Sequence, residues 1–156
     1  MEQELAPSIF DELIEQPYYE YASQGQRLAN YFIDVVVFFV FNYGFFYVFG
    51  VVLVLCGLSQ QEIYEVGTNK LLMYGIVFFN MAFFYTIVEG VTRGKSLGKL
   101  ITRTRAVQED LKPLTWKLAL LRSLSRIVPF EPFSGVGGTP WHDKWTRTTV
   151  IRNRVE

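Results

Sequence analysis

This chain of 156 residues holds one cysteine and one histidine. A lone Cys56 cannot close an internal disulfide, and one cysteine with one histidine cannot build a zinc site. No metal or other cofactor is expected. His142-Asp143 resembles half of a catalytic pair, but there is no second histidine, and no serine stands in a recognisable nucleophile turn. The pair is expected to make a structural hydrogen bond, and no enzyme activity or nucleic-acid partner is expected. Charge is sparse, at 19% of residues. The first 26 residues carry no Lys or Arg, so no basic region precedes an apolar core as in a cleavable signal peptide.

Apolar and aromatic residues are abundant instead. Half the chain is hydrophobic and 17% is aromatic, with 14 Phe and 9 Tyr. That mixture fits a membrane protein with an aqueous portion. The formal net charge of zero hides an asymmetry. Residues 1–26 carry six acids, whereas residues 90–156 carry 13 of the 15 basic residues against five acids. The chain therefore reads as an acidic leader over 1–26 and one membrane domain over 27–152.

From Val35 to Leu58 run 24 residues in which Asn42 is the only strongly polar one. As a helix this is roughly 36 Å long, more than the hydrocarbon core of a bilayer. The first span is expected over about 29–55 and the second over 71–89, separated by a short polar loop over 59–70. The short loop makes them an antiparallel hairpin. Gly50 with Gly57, and Gly75 with Ala82, offer small faces for a close neighbour. Asn42 and Asn80 are expected to hydrogen-bond between the helices, and Glu89 to be a plain boundary residue. Arg93, Lys95, Lys99, Arg103 and Arg105 follow the second span within 17 residues, which places that side, and both termini, in the cytoplasm.

The leader shows apolar residues at helical spacing over 8–16, which predicts either a short amphipathic helix or a leader with no fixed structure. Beyond the second span, residues 93–152 read as a cytoplasmic and interfacial region. Gly94, Lys95, Ser96, Gly98 and Lys99 form a tight basic exit from the membrane, with lysines at the headgroups. With Gly90 they approach a nucleotide-binding loop, one residue short and lacking the preceding strand that motif needs. Ile101–Val107 and Thr146–Arg152 alternate and predict two short strands that could pair. Thr115 opens a helix over 116–128, ended by Pro129, with Leu120, Leu121 and Leu124 on one face and Arg122, Ser125 and Arg126 on another. At 13 residues it is too short to span and reads as a basic amphipathic helix in the interface. The alternative is a soluble helix on a small domain of its own. The fold class is thus an α-helical membrane protein: a two-span hairpin, an interfacial amphipathic helix and short cytoplasmic β pieces.

Asp34, inside the first turns of the first span, needs a partner. The expectation is a bond to Arg122 or Arg126, with Arg27 held by Asp143, Glu89 or a backbone carbonyl.

Arg27 at the start of a span with Asp34 inside it, the Gly94–Lys99 stretch, the helix bearing Arg122 and Arg126, and His142-Asp143 ahead of Thr148-Thr149-Val150-Ile151 form one combination. It resembles the RDD family of small bacterial integral membrane proteins, over about Ala22 to Arg152. The resemblance implies that Arg27, Asp34 and Asp143 are the arginine and two aspartates of the family's name. Two departures stand out: the chain turns at Pro129 where members often continue into a further apolar segment, and the acidic leader is not part of the pattern. Some members are linked to cation/proton antiport. Two functional readings follow. One is an accessory or scaffold subunit of the bacterial inner membrane, contacting lipid and binding a membrane-protein partner or a second copy through its hairpin and cytoplasmic surface. The other is a transporter or antiporter component with Asp34 as coupling carboxylate. Two spans cannot enclose a pathway, and transport sites usually lie near the midplane, so the first reading is preferred.

Overall fold

The protein is described by a computed structural model covering residues 19–135 and 138–152. The helix expected over 8–16 lies outside these residues. The first helix, α1, runs Gln24–Leu55. It begins five residues before the expected start because Ser23 and Gln26 form a reciprocal capping box, with Ser23 Oγ accepting from Gln26 N at 3.2 Å and Gln26 Oε1 from Ser23 N at 3.0 Å. The stretch expected to be a polar loop contains a helix, α2, Gln60–Thr68. Its cause is a second capping box, Ser59-x-x-Glu62, which satisfies two backbone donors that a loop would leave to water. Asn69 then caps α3, Lys70–Val91.

Both α1 and α3 are long and apolar enough to cross a membrane. The most apolar stretch of α1 buries none of its residues within the chain, and that of α3 only 11%. The two helices touch where Phe38 and Phe41 meet Phe84 and Tyr85, and where Asn80 Nδ2 donates to Asn42 Oδ1 at 3.2 Å. The small faces at Gly50, Gly57 and Gly75 stand open: a methyl group added at any of them would meet no atom within 4 Å.

After α3 the chain folds into a compact polar layer. A short helix, α4 (Leu97–Ile101), leads to β1, Thr104–Gln108. The strand begins three residues later than expected, since Leu97–Ile101 is helical and Arg103 takes a left-handed conformation that ends the turn. Helix α5 covers Trp116–Ser125 under a Thr115 cap. Two short helices follow, α6 (Glu131–Ser134) and α7 (Trp141–Thr146), and then β2, Thr148–Arg152. The strands pair antiparallel with Ala106 opposite Val150. Residues ahead of α1 extend the ladder: Tyr21 bridges Ile151, and Ala22 N donates to the Val150 carbonyl at 2.9 Å.

The buried apolar residues of the described chain belong to this layer or its edge, apart from Tyr85. Most of them are small, such as Ala106, Ala119, Val107 and Val150. Helix α5 is turned opposite to a helix on a soluble core. Arg122, Ser123 and Ser125 face inward, while Leu120, Leu121 and Leu124 are exposed. The exposed leucine row lies next to two apolar helices that are themselves largely uncovered.

Candidate functional site

The layer is held to the long helices by charge. Glu89, near the end of α3, is completely buried. Its Oε1 accepts from Lys99 Nζ at 2.6 Å and from Arg126 Nη2 at 2.7 Å, and its Oε2 from Arg122 Nε at 3.1 Å. Arg122, also fully buried, donates from Nη1 to Asp143 Oδ1 at 2.5 Å and to Thr148 Oγ1. Asp143 closes the set by accepting from Arg27 Nη1 at 2.9 Å. One continuous network thus joins α1 (Arg27), α3 (Glu89), α4 (Lys99), α5 with its C-cap (Arg122, Arg126) and α7 (Asp143). Four cations meet two carboxylates in it. Two further buried carboxylates, Asp34 on α1 and Glu131 on α6, lie outside this set.

Asp34 is not bonded to Arg122 or Arg126, contrary to expectation. Its Oδ2 accepts from Ser96 Oγ at 2.5 Å and its Oδ1 from Gly98 N at 2.8 Å. Asp34 therefore anchors the start of α4, where backbone N–H groups lack helical partners. The arginines are drawn to Glu89 instead. Glu89 is correspondingly no boundary residue but the centre of the network. It is the only acid between Lys70 and Val91, and it needs a partner for the same reason that Asp34 does.

The basic exit loop also needs correction. Lys99 is only 4% exposed and turns inward to Glu89. The glycines around it mark close approaches. A methyl on Gly94 would sit 2.1 Å from the Ala106 carbonyl oxygen, one on Gly98 2.5 Å from that of Asn30, and one on Gly90 2.3 Å from the Trp116 ring. Gly94 also has φ +104, a conformation side chains rarely adopt. The spacing that resembles a nucleotide loop is thus three packing points at four-residue intervals. Asn30 adds a further tie, donating from Nδ2 to Thr104 Oγ1 at 3.0 Å.

Burial alone would push the Asp143 carboxyl up, but the Arg122 guanidinium, with His142 and Lys99, outweighs it and holds the group well below the usual carboxylate range. Burial lowers Lys99, with Glu89 offsetting part of the effect. His142 lies between two carboxylates, its Nδ1 on Glu131 Oε1 and its Nε2 3.4 Å from Asp143 Oδ1. Burial still lowers its pKa. The pair His142-Asp143 thus serves the same network.

The sequence model of the RDD family matches residues 21–147. The chain belongs to the RDD family. No curated protein and no solved structure matches it. Of the three residues that give the RDD family its name by resemblance, Arg27 and Asp143 form a direct ion pair here, while Asp34 sits in an adjoining contact. An RDD protein with two long apolar helices is a membrane-type protein, and in this one the charged residues gather where those helices meet the polar layer.

Proposed function

We propose that this protein is a small scaffold or accessory subunit of the bacterial inner membrane, one that binds a membrane-protein partner or a second copy and performs no catalysis. Helices α1 and α3 form a two-span hairpin, residues 1–26 are an acidic leader, and residues 93–152 lie on the cytoplasmic side with both termini. Helix α5 lies in the interface, with its exposed leucines toward lipid. The observation that carries the reading is the Glu89–Arg122–Asp143 network. Its ionisable groups bond to one another, which rigidifies a platform while the long helices keep their surfaces free for neighbours. Asp34 supports the same view: it is buried, and both of its oxygens are engaged in anchoring α4. A coupling carboxylate has to exchange protons with water or ligand.

Two measurements test this. In native membranes, cross-linking followed by electrophoresis should move the chain into a defined larger species; a chain that stays monomeric would remove the subunit reading. In liposomes, the purified protein should move no monovalent cation against a proton gradient. Flux abolished by Asp34→Asn would establish the antiporter reading instead. Orientation is read from Cys56, which is exposed at the end of α1: it should be labelled from outside intact cells, while a cysteine at position 150 in a Cys56→Ala background should not.

A further inference from the structure

We propose that Arg93, Lys117 and the Trp116 ring form a binding corner for the phosphodiester headgroup of an anionic phospholipid, a proposal that rests on the membrane reading above. Arg93 is the second residue after α3 and holds φ +54, the left-handed region. Its backbone N–H bonds to the Gly90 carbonyl, which ends the helix. Glycine is the usual occupant of that position, and any other side chain adds strain. A strained arginine is therefore kept where glycine would fit better, and its side chain has no ion pair among the described residues. Arg103, Leu111, Phe130 and Arg147 share this conformation, so what distinguishes Arg93 is its surroundings.

Gly90, one turn before Arg93, lies against Trp116. Trp116 remains 53% exposed, and the adjacent Lys117 is exposed and likewise unpaired among the described residues. Lys117 thus follows an exposed indole in the chain, and Arg93 follows by one turn the glycine that this indole packs against, at the end of an apolar helix whose Val91 and Ile87 are also uncovered. Indole rings and basic side chains occupy the headgroup level at the ends of spans. Each cation near an anionic leaflet contributes about five-fold in affinity. Arg103 provides an internal control. It is left-handed and unpaired among the described residues in the same way, but it follows Thr102, which contacts Gln26 in the first turn of α1. That is eight residues, about 12 Å along the helix, below Asp34.

The test uses the full chain in nanodiscs of equal parts phosphatidylglycerol and phosphatidylcholine, with retained lipid counted by native mass spectrometry. Wild type should retain phosphatidylglycerol preferentially. Arg93→Gly should raise the melting temperature by about 2–4 °C yet lower phosphatidylglycerol affinity about five-fold. Lys117→Gln should lower the affinity similarly, and Arg103→Gly should stabilise without lowering it. Incorporation with no preference for phosphatidylglycerol would overturn the proposal alone. Full retention by both Arg93→Gly and Lys117→Gln, or an equal loss from Arg103→Gly, would also overturn it, the latter in favour of diffuse charge. Failure of wild type to enter nanodiscs would overturn the membrane reading as well.

Discussion

Replacing Glu89 by glutamine keeps the shape of the side chain and removes its charge. Three cations, from Lys99, Arg122 and Arg126, then face a neutral amide in a site closed to water. Breaking a buried ion pair by removing one partner costs about 3–5 kcal/mol, because the remaining charge stays desolvated. Here one carboxylate serves three partners, so the upper part of that range applies. For a domain of this size each kcal/mol lowers the melting temperature by about 2–4 °C, giving a fall of about 8–20 °C. Thermal melting followed by size-exclusion in detergent reads this directly. Removing one of the stranded charges should restore part of the loss: Lys99→Met in the Glu89→Gln background should be less than additive by about 0.5–3 kcal/mol. A Glu89→Gln protein that melts within a degree of wild type would refute the reasoning and return Glu89 to the role of a boundary residue.

Other consequences follow from the same geometry. Asp34→Ala loses two hydrogen bonds to a charged acceptor, each worth about 1.5–3 kcal/mol, and Ser96→Ala should add little in that background, as thermal melts of the single and double variants would show. Gly98→Ala drives a methyl into the Asn30 backbone and should sharply lower the folded yield, measured as the monodisperse fraction after extraction. Stability should fall as pH drops through and below about 6.5. The folded-state pKa of His142 lies below its ordinary 6.5, so the unfolded chain binds the extra proton first. Its facing groups Glu131, Asp143, Arg122 and Arg126 are otherwise fixed in charge over that window. The depressed Asp143 carboxyl adds a second loss at more acidic pH, and His142→Gln should flatten the first loss alone.

The membrane character was legible because it rests on long-range composition: an unbroken apolar run from Val35 and the excess of basic residues after Val88 survive any local error. The β1–β2 pairing and the Thr115-capped helix were legible because alternation and capping are local signals. Helix α2 was equally readable, since Ser59-x-x-Glu62 is a capping box, but its polar composition suggested a loop. The charge network was only half visible. Sequence could say that Asp34 and two arginines on one helix face need partners. It could not say which, because the choice depends on how α4 and α5 dock, and docking is set by close approaches at Gly90, Gly94 and Gly98 that carry no signal of their own. Glu89 lost attention to Asp34 because a carboxylate at a helix end ordinarily reaches water. Burial by α5, whose polar face turns inward, removes that water.

The central claim is that this network fixes the polar layer to the two long helices. Pulsed electron-resonance distances between spin labels at the exposed positions Val40 on α1 and Leu120 on α5, in a Cys56→Ala background, test it most directly. A single narrow distribution in wild type that broadens in Glu89→Gln, with helix content unchanged, is the predicted result. Equally narrow distributions in both proteins would contradict it.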